Sequence, residues 1–257
     1  METLKAKSHK LKPRIIIMSG YGLNCEEETR FAFETAGGSA DIVHINDLIK
    51  KPKMLSQYQI LVFPGGFSYG DDTGSGKAYA NKFKNHLSKE LKEFLERDTL
   101  LAGICNGFQI VTNLGILPGA LTYNKKGKYI DRWVDLQVPL PGKGKEISPW
   151  LKGIKNISLP IAHGEGRYKI DGKGVEVAFK YVKGEIAKFQ NLEYNPNGSE
   201  HDIAGVLAYN GRVLGMMPHP ERGMFAHQNP LWYKNKNKKK TGAGLQIFIN
   251  AVKYFNN

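Results

Sequence analysis

Cysteine is scarce in this chain: 257 residues hold only Cys25 and Cys105. A disulfide-stapled secreted scaffold is thereby excluded, and two lone thiols suit a reducing, cytoplasmic setting. Long apolar runs are also missing. No window approaches the ~18 uninterrupted apolar residues of a membrane span, so no membrane association is expected. The opening METLKAKSHKLKP has neither the apolar stretch nor the small-residue cleavage site of a secretory signal, and residues 1–12 read as a basic, solvated tail. There is no CxxC, no HExxH and no third ligand at suitable spacing, so no metal site is expected. The glycine-rich stretch Gly70–Lys77 is not a phosphate loop. Asp71 stands where the first glycine should be, and Ala78 replaces the hydroxyl that would hold magnesium.

Acidic side chains are in the minority, 24 against 37 basic ones, for a formal net charge of +13. The surplus clusters at Lys5, Lys7, Lys10 and Lys12, at Lys125, Lys126 and Lys128, and along 234–240. Such runs suit solvated loops or an acidic docking partner. No aromatic residue interleaves the last of them, so a base-stacking platform has no support and no nucleic-acid partner is expected.

What the chain does have is alternation. Arg14–Ser19, Asp41–Ile45, Gln59–Phe63 and Leu100–Ile104 read as short buried strands, and Glu26–Ala36, Lys77–Arg97 and Asn106–Leu114 as the helices between them. This order predicts an α/β fold with a mostly parallel central sheet covered by helices on both faces. The second half is richer in strand candidates: Asp131–Val138, Ile157–Ile161, Gly174–Phe179, Ile186–Phe189, Ile203–Tyr209 and Arg212–Met217. The last two are joined by Asn210-Gly211, a hairpin turn signal. A final amphipathic helix covers about Gly244–Tyr254. With no Pro- or Ser-rich linker, residues 13–257 are expected to form one domain with a β-rich extension.

The chemistry concentrates at Gly103-Ile-Cys105-Asn-Gly107, between the Leu100–Ile104 strand and the following helix. G-x-C-x-G at that junction is the cysteine form of the nucleophile elbow. Its turn is too tight for side chains two residues either side of the nucleophile, and it lifts the thiol above the carboxyl end of the sheet. Cys25 also follows a strand and a glycine turn, but Leu23 sits where an elbow needs glycine; a packed or binding-loop role suits it better. A free thiol is only a few per cent ionised at neutral pH and needs a base. Two histidines have a glutamate two positions on. In MPHPER, the prolines bias His219 towards extended angles, which places Glu221 on the same side of the chain, able to orient the imidazole as a triad acid does. In AHGEGR, His163 and Glu165 lie in a glycine-rich loop with Arg167, better suited to a binding or interface role. The oxyanion of an acyl-transfer step needs two amides; that of Asn106 is one, and the Gly65-Gly66 pair after the neighbouring strand offers the other.

Taken together, NC at 24–25, GGFSYGD at 65–71, GICNGFQ at 103–109, LPGAL at 117–121, AHGEGR at 162–167, NPNGS at 195–199 and MPHPER at 217–222 resemble the class I (triad) glutamine amidotransferases. Within them they resemble the glutaminase subunits of the phosphoribosylformylglycinamidine synthases of purine biosynthesis. The resemblance implies a flavodoxin-like fold and a triad of Cys105, His219 and Glu221 acting on glutamine. It also implies Gly66 and Asn106 as oxyanion donors and Gln109 as a residue that seats the substrate. The implied partners are a large synthase subunit, which uses ATP and magnesium, and a small accessory subunit; no cofactor is implied on this chain. Two other readings stay open on the residues: an amidotransferase serving a different synthase, and a catalytically silent binding module on the same fold.

Overall fold

The computed structural model describes residues 12–71, 74–140, 146–172, 174–234 and 240–256. Nearly all of the basic tail, Asp72 and Thr73 of the glycine-rich stretch and most of the 234–240 lysine run lie outside the described residues. The first half alternates as the apolar pattern demands: β1 (Arg14–Ser19), α1 (Glu26–Thr35), β2 (Ser39–His44), α2 (Ile45–Lys50), β3 (Ile60–Phe63), α3 (Lys77–Glu96), β4 (Leu100–Ile104) and α4 (Asn106–Asn113). Then come β5 (Ala120–Thr122), β6 (Ile130–Gln137), β7 (Asn156–His163), β8 (Arg167–Lys169), β9 (Glu176–Val182), α5 (Glu185–Gln190), β10 (Ile203–Ala208), β11 (Val213–Met216) and α6 (Leu245–Tyr254).

Nine strands form one sheet in the order β2-β1-β3-β4-β11-β10-β9-β6-β7, while β5 and β8 make a separate small ribbon. From β2 to β11 the pairings are parallel, and from β11 to β7 they are antiparallel. The expected β-rich extension therefore continues the central sheet. The joint is the β10–β11 hairpin, where Tyr209, Asn210 and Gly211 take φ of 52°, 55° and 77°. Successive left-handed residues give the turn whose twist matches its strands. Strands β3 and β4 are buried along their whole length, as parallel strands covered on both faces must be. Phe33 on α1 meets Phe248 on α6 edge-on, and Phe83 on α3 meets Phe63 at the end of β3. Among the described residues no helix is long and apolar enough to cross a membrane.

Three expectations need correcting. Ile186–Phe189 is not a strand but the middle of α5, with Ile186 and Ala187 buried. Its first turn is held by a residue distant in sequence: Asp135 on β6 accepts from the amide of Ala187 at 3.0 Å, a side-chain cap that no local pattern announces. Ile45 does not end a strand but opens α2, whose N-terminal amide at Asn46 donates to His44 Nδ1 at 3.1 Å. The helix expected over Lys77–Arg97 is present but breaks its regular geometry at Leu87 (φ −132°).

Candidate active site

The elbow forms as its glycines require. Cys105 sits between β4 and α4 at φ 50°, ψ −108°, a strained conformation for a residue with a side chain, costing about 1–3 kcal/mol. Its amide donates to Met216 O on β11 at 2.8 Å, so the sheet ladder itself holds Cys105 in place. A Cβ on Gly103 would meet the Gly107 carbonyl oxygen at 2.6 Å, and one on Gly107 would overlap the Phe63 carbonyl. The sulfur is buried, with its S–H directed at Ala162 O at 3.6 Å on β7.

The second thread arrives on the neighbouring strand. β11 leads into Met217-Pro218-His219, and the His219 amide donates to Pro160 O at 2.8 Å. Pro220–Arg222 then make a single 3₁₀ turn. The turn, rather than a continuous extended chain, brings Glu221 back beside the imidazole: Nδ1 and Oε1 lie 2.5 Å apart, and both residues are buried. Nε2 makes no formed hydrogen bond, and Cys105 is among the groups whose charge the imidazole feels. Burial works against the imidazolium, but Glu221 and then Cys105 outweigh it and hold the His219 pKa well above the usual range.

The loop after β3 runs antiparallel to residues 22–24. Phe67 N donates to Gly22 O at 2.9 Å and Asn24 N to Gly65 O at 3.2 Å, which makes Leu23 and Gly66 a non-hydrogen-bonded pair. Residues in such a pair turn their amides outwards, so Gly66 N–H faces away from that segment. A Cβ there would strike Gly22 O at 2.5 Å. Among the described residues neither Gly66 N–H nor Asn106 N–H has a partner, the latter because it opens α4. A relay of amides fixes the wall between them. Ser68 N donates to Asn106 Oδ1 (3.1 Å), Asn106 Nδ2 to Gln109 Oε1 (2.7 Å), and Gln109 Nε2 to Glu165 O (2.6 Å). Gln109 is thus committed at both ends of its amide to holding the loop after β3, the elbow helix and the AHGEGR loop together.

His163 and Glu165 do not pair with each other. Asn124 donates through Nδ2 to His163 O and Lys128 O, both at 2.8 Å, which leaves Oδ1 as an acceptor; it takes Gly166 N–H at 3.1 Å and His163 Nδ1 at 3.0 Å. The imidazole is therefore the neutral Nδ1–H tautomer, with Nε2 a buried lone pair. Burial, then the positive charge of His219, pushes its pKa down to about 3. Arg167 Nε donates to Gly198 O at 3.0 Å and Asn197 Nδ2 to Gly166 O at 2.7 Å, knitting the AHGEGR and NPNGS loops into one wall. Folding stability should register the buried neutral imidazole. Because its folded-state pKa lies below the unfolded one, the contribution of His163 is complete above about pH 6.5. It is lost as pH falls towards 3, at up to about 1.4 kcal/mol per pH unit. Denaturant titrations across that window should show this slope for the wild type and its absence in His163→Gln.

Several contributors were not visible in the sequence. Tyr129 lies over the site with its ring 5.9 Å from that of Phe67. Its pKa is raised by burial and then by Cys105. Asn124, Ser68 and Arg222 likewise act through partners dozens of residues away, a distance at which no spacing rule operates. Cys25, read as a packed or binding-loop residue, is fully buried and accepts a hydrogen bond from Arg222 at 2.9 Å.

Residues 12–255 match the model of the CobB/CobQ-like glutamine amidotransferase domain. The PurQ component of phosphoribosylformylglycinamidine synthase from Methanococcus maripaludis is 45% identical, over 96% of this chain and 99% of its own length. The PurQ component from Dehalococcoides mccartyi is 39% identical over 95% and 98%. Among solved structures, that of PurLQS from Thermotoga maritima superposes with a TM-score of 0.72 at 34% identity, covering 95% of this chain and 99% of the matched chain. A second glutamine amidotransferase from Thermotoga maritima shares the fold at 16% identity, with a TM-score of 0.55 over 96% of this chain and 98% of its own.

Proposed function

The chain belongs to the CobB/CobQ-like glutamine amidotransferase family, and from that premise we propose that it is the glutaminase subunit of a phosphoribosylformylglycinamidine synthase. The observation that carries the reading is the convergence of the His219–Glu221 pair, delivered by β11, on the strained Cys105 elbow delivered by β4. In the reaction, the proton given up by Cys105 already rests on His219 Nε2, in keeping with the raised proton affinity of that imidazole, and the thiolate attacks the side-chain amide carbon of glutamine. The new C–O⁻ is received by the amides of Gly66 and Asn106, each donor contributing roughly 3 kcal/mol to the transition state. As the C–N bond breaks, His219 returns the proton to nitrogen and ammonia leaves, giving a thioester on Cys105. His219 then deprotonates water, which attacks the thioester and releases glutamate and free thiol. Glu221 accepts from Nδ1–H throughout, keeping the tautomer and stabilising the imidazolium.

Gln109 and the AHGEGR loop form the wall against which the substrate seats, and Phe67 with Tyr129 roofs it. The ammonia passes to a synthase subunit, which binds ATP and magnesium and amidates formylglycinamide ribonucleotide, with a small accessory subunit completing the complex. The strong identity to PurQ proteins over nearly the whole chain supports this acceptor over others that the same hydrolytic chemistry would serve. The test is turnover of glutamine by the purified chain, alone and with the synthase and accessory subunits, their nucleotide substrate and ATP. Glutamate and formylglycinamidine ribonucleotide should appear in equal amounts only in the full mixture. Glutamine hydrolysis that never yields the amidinated product, while another synthase accepts the ammonia, would move the chain to a different pathway.

A further inference from the structure

The catalytic scheme leaves one buried nucleophilic group unused. Cys25 caps the N-terminus of α1 and is fully buried. Its backbone is held at both ends: its amide donates to Gly65 O at 3.1 Å, and its carbonyl accepts from Thr29 Oγ1 at 2.7 Å. Its sulfur has no freedom either. Arg222 Nη2 donates to Sγ at 2.9 Å, and Sγ, a ring nitrogen of His219 and a carboxylate oxygen of Glu221 all lie within 4.8 Å of one another. Gly65 closes the cluster, since a Cβ there would sit 2.6 Å from His219 Cε1 and 3.1 Å from Cys25 Sγ. One sulfur therefore touches the cation next to the triad acid, the edge of the triad base, and the segment that carries the Gly66 amide.

The decisive atom is Glu221 Oε2, which is buried and has no hydrogen-bond partner. Arg222 is the next residue, half-buried and close enough for Glu221 to support its charge. A guanidinium with five donors pairs readily with both oxygens of a carboxylate, and such a pairing would withdraw negative charge from the imidazole. What the guanidinium engages instead is Cys25. We propose that Cys25 is a positioning residue for the glutaminase reaction: it anchors Arg222 away from Glu221 Oε2, so that the carboxylate serves His219 alone, and it locks that assembly to the oxyanion loop. This rests on the glutaminase reading above.

The groups facing His219 are Glu221 and Arg222 on its own turn, Cys105 at the elbow, Cys25 on α1, His163 at the end of β7, and Tyr129 ahead of β6; Glu28 on α1 faces Arg222. Of these, only Arg222 is a fixed cation next to the triad acid, and releasing it alters the proton affinity of the imidazole in a known direction. With Arg222 on Glu221, the imidazolium loses its proton at lower pH.

The test uses the assembled complex, with glutamine-dependent turnover measured from about pH 6 to pH 10 for the wild type, Cys25→Ala, Cys25→Ser and the double variant Cys25→Ala/Arg222→Met. Cys25→Ala should lower kcat about 10- to 100-fold, the scale of a misplaced catalytic group, with KM within about 2-fold. The basic limb of its kcat profile should move about one unit to lower pH. Cys25→Ser, which keeps an acceptor for Arg222, should stay within about 3-fold of the wild type, and the double variant should regain the wild-type basic limb. Ammonia-dependent synthesis should be equal in all four, which shows that folding and docking are intact. Turnover of Cys25→Ala within about 2-fold of the wild type overturns the proposal, as does a loss with an unshifted profile or one that serine does not rescue. Should Cys25→Ala fail to fold, a loss of more than about 10-fold in Cys25→Ser alone overturns it. Failure of the underlying reading looks different: the wild-type complex itself would release no glutamate.

Discussion

Cys105→Ala is expected to abolish glutamine-dependent synthesis by the complex while leaving synthesis from added ammonia unchanged. Removing a nucleophile costs on the order of a million-fold in kcat, because binding and oxyanion donors alone cannot form the thioester. Free ammonia enters downstream of that step, so the ligase half of the reaction does not register the loss. Structural damage should be slight. Alanine removes a buried sulfur whose contact to Ala162 O is long, and the elbow geometry lies in the backbone. The paired assays, glutamate release and ammonia-supported product formation, separate a lost nucleophile from a lost interface. Equal decline of both rates would place Cys105 in the docking surface instead of the chemistry.

Gly107→Ala is expected to be the most damaging glycine-to-alanine change among the described residues. The new Cβ would occupy the position of the Phe63 carbonyl oxygen, which is main chain and cannot rotate aside. Relief requires the N-terminus of α4 to lift from the end of β3, at a cost of about 3 kcal/mol from overpacking. The same shift changes the distance between the Asn106 and Gly66 amides, because Phe63 leads directly into Pro64-Gly65-Gly66. A displacement of about 1 Å there costs roughly 100-fold in kcat. Thermal unfolding and glutaminase rates measured together check both effects. Gly115→Ala, at a left-handed C-terminal position (φ 78°) with open space around it, is the control: about 1 kcal/mol less stable through backbone strain, with kcat unchanged.

The parts of this fold that are written locally are legible in the sequence. β1, β3 and β4 are short apolar runs with glycine or proline near their ends, and the elbow glycines, the Asn210-Gly211 turn and the MPHPER proximity are all encoded within a few residues. What could not be read is whatever depends on a distant partner. α5 exists because Asp135, about fifty residues earlier, caps it. The continuity of the antiparallel strands with the parallel sheet is decided by which edge β11 joins, and an isolated hairpin signal carries no such address. The pairing of His163 with Asn124, which settles that this imidazole is neutral, has no signature in AHGEGR itself. Cys25 was legible as an unusual residue at a strand–helix turn, but its contact with Arg222 spans nearly two hundred positions.

The placement of β11 beside β4 has a further meaning. Ile104 and Met216 are register partners, so the separation of thiol and imidazole is dictated by two rungs of one ladder and not by the hundred-odd residues that lie between them in the chain. Loops between the anchored positions of that stretch, which include Gln109, Pro160 and Ala162, can change length without altering the two rungs that set this separation. The spacing of the two side chains is thus a property of the sheet, inherited with the pairing of β4 and β11.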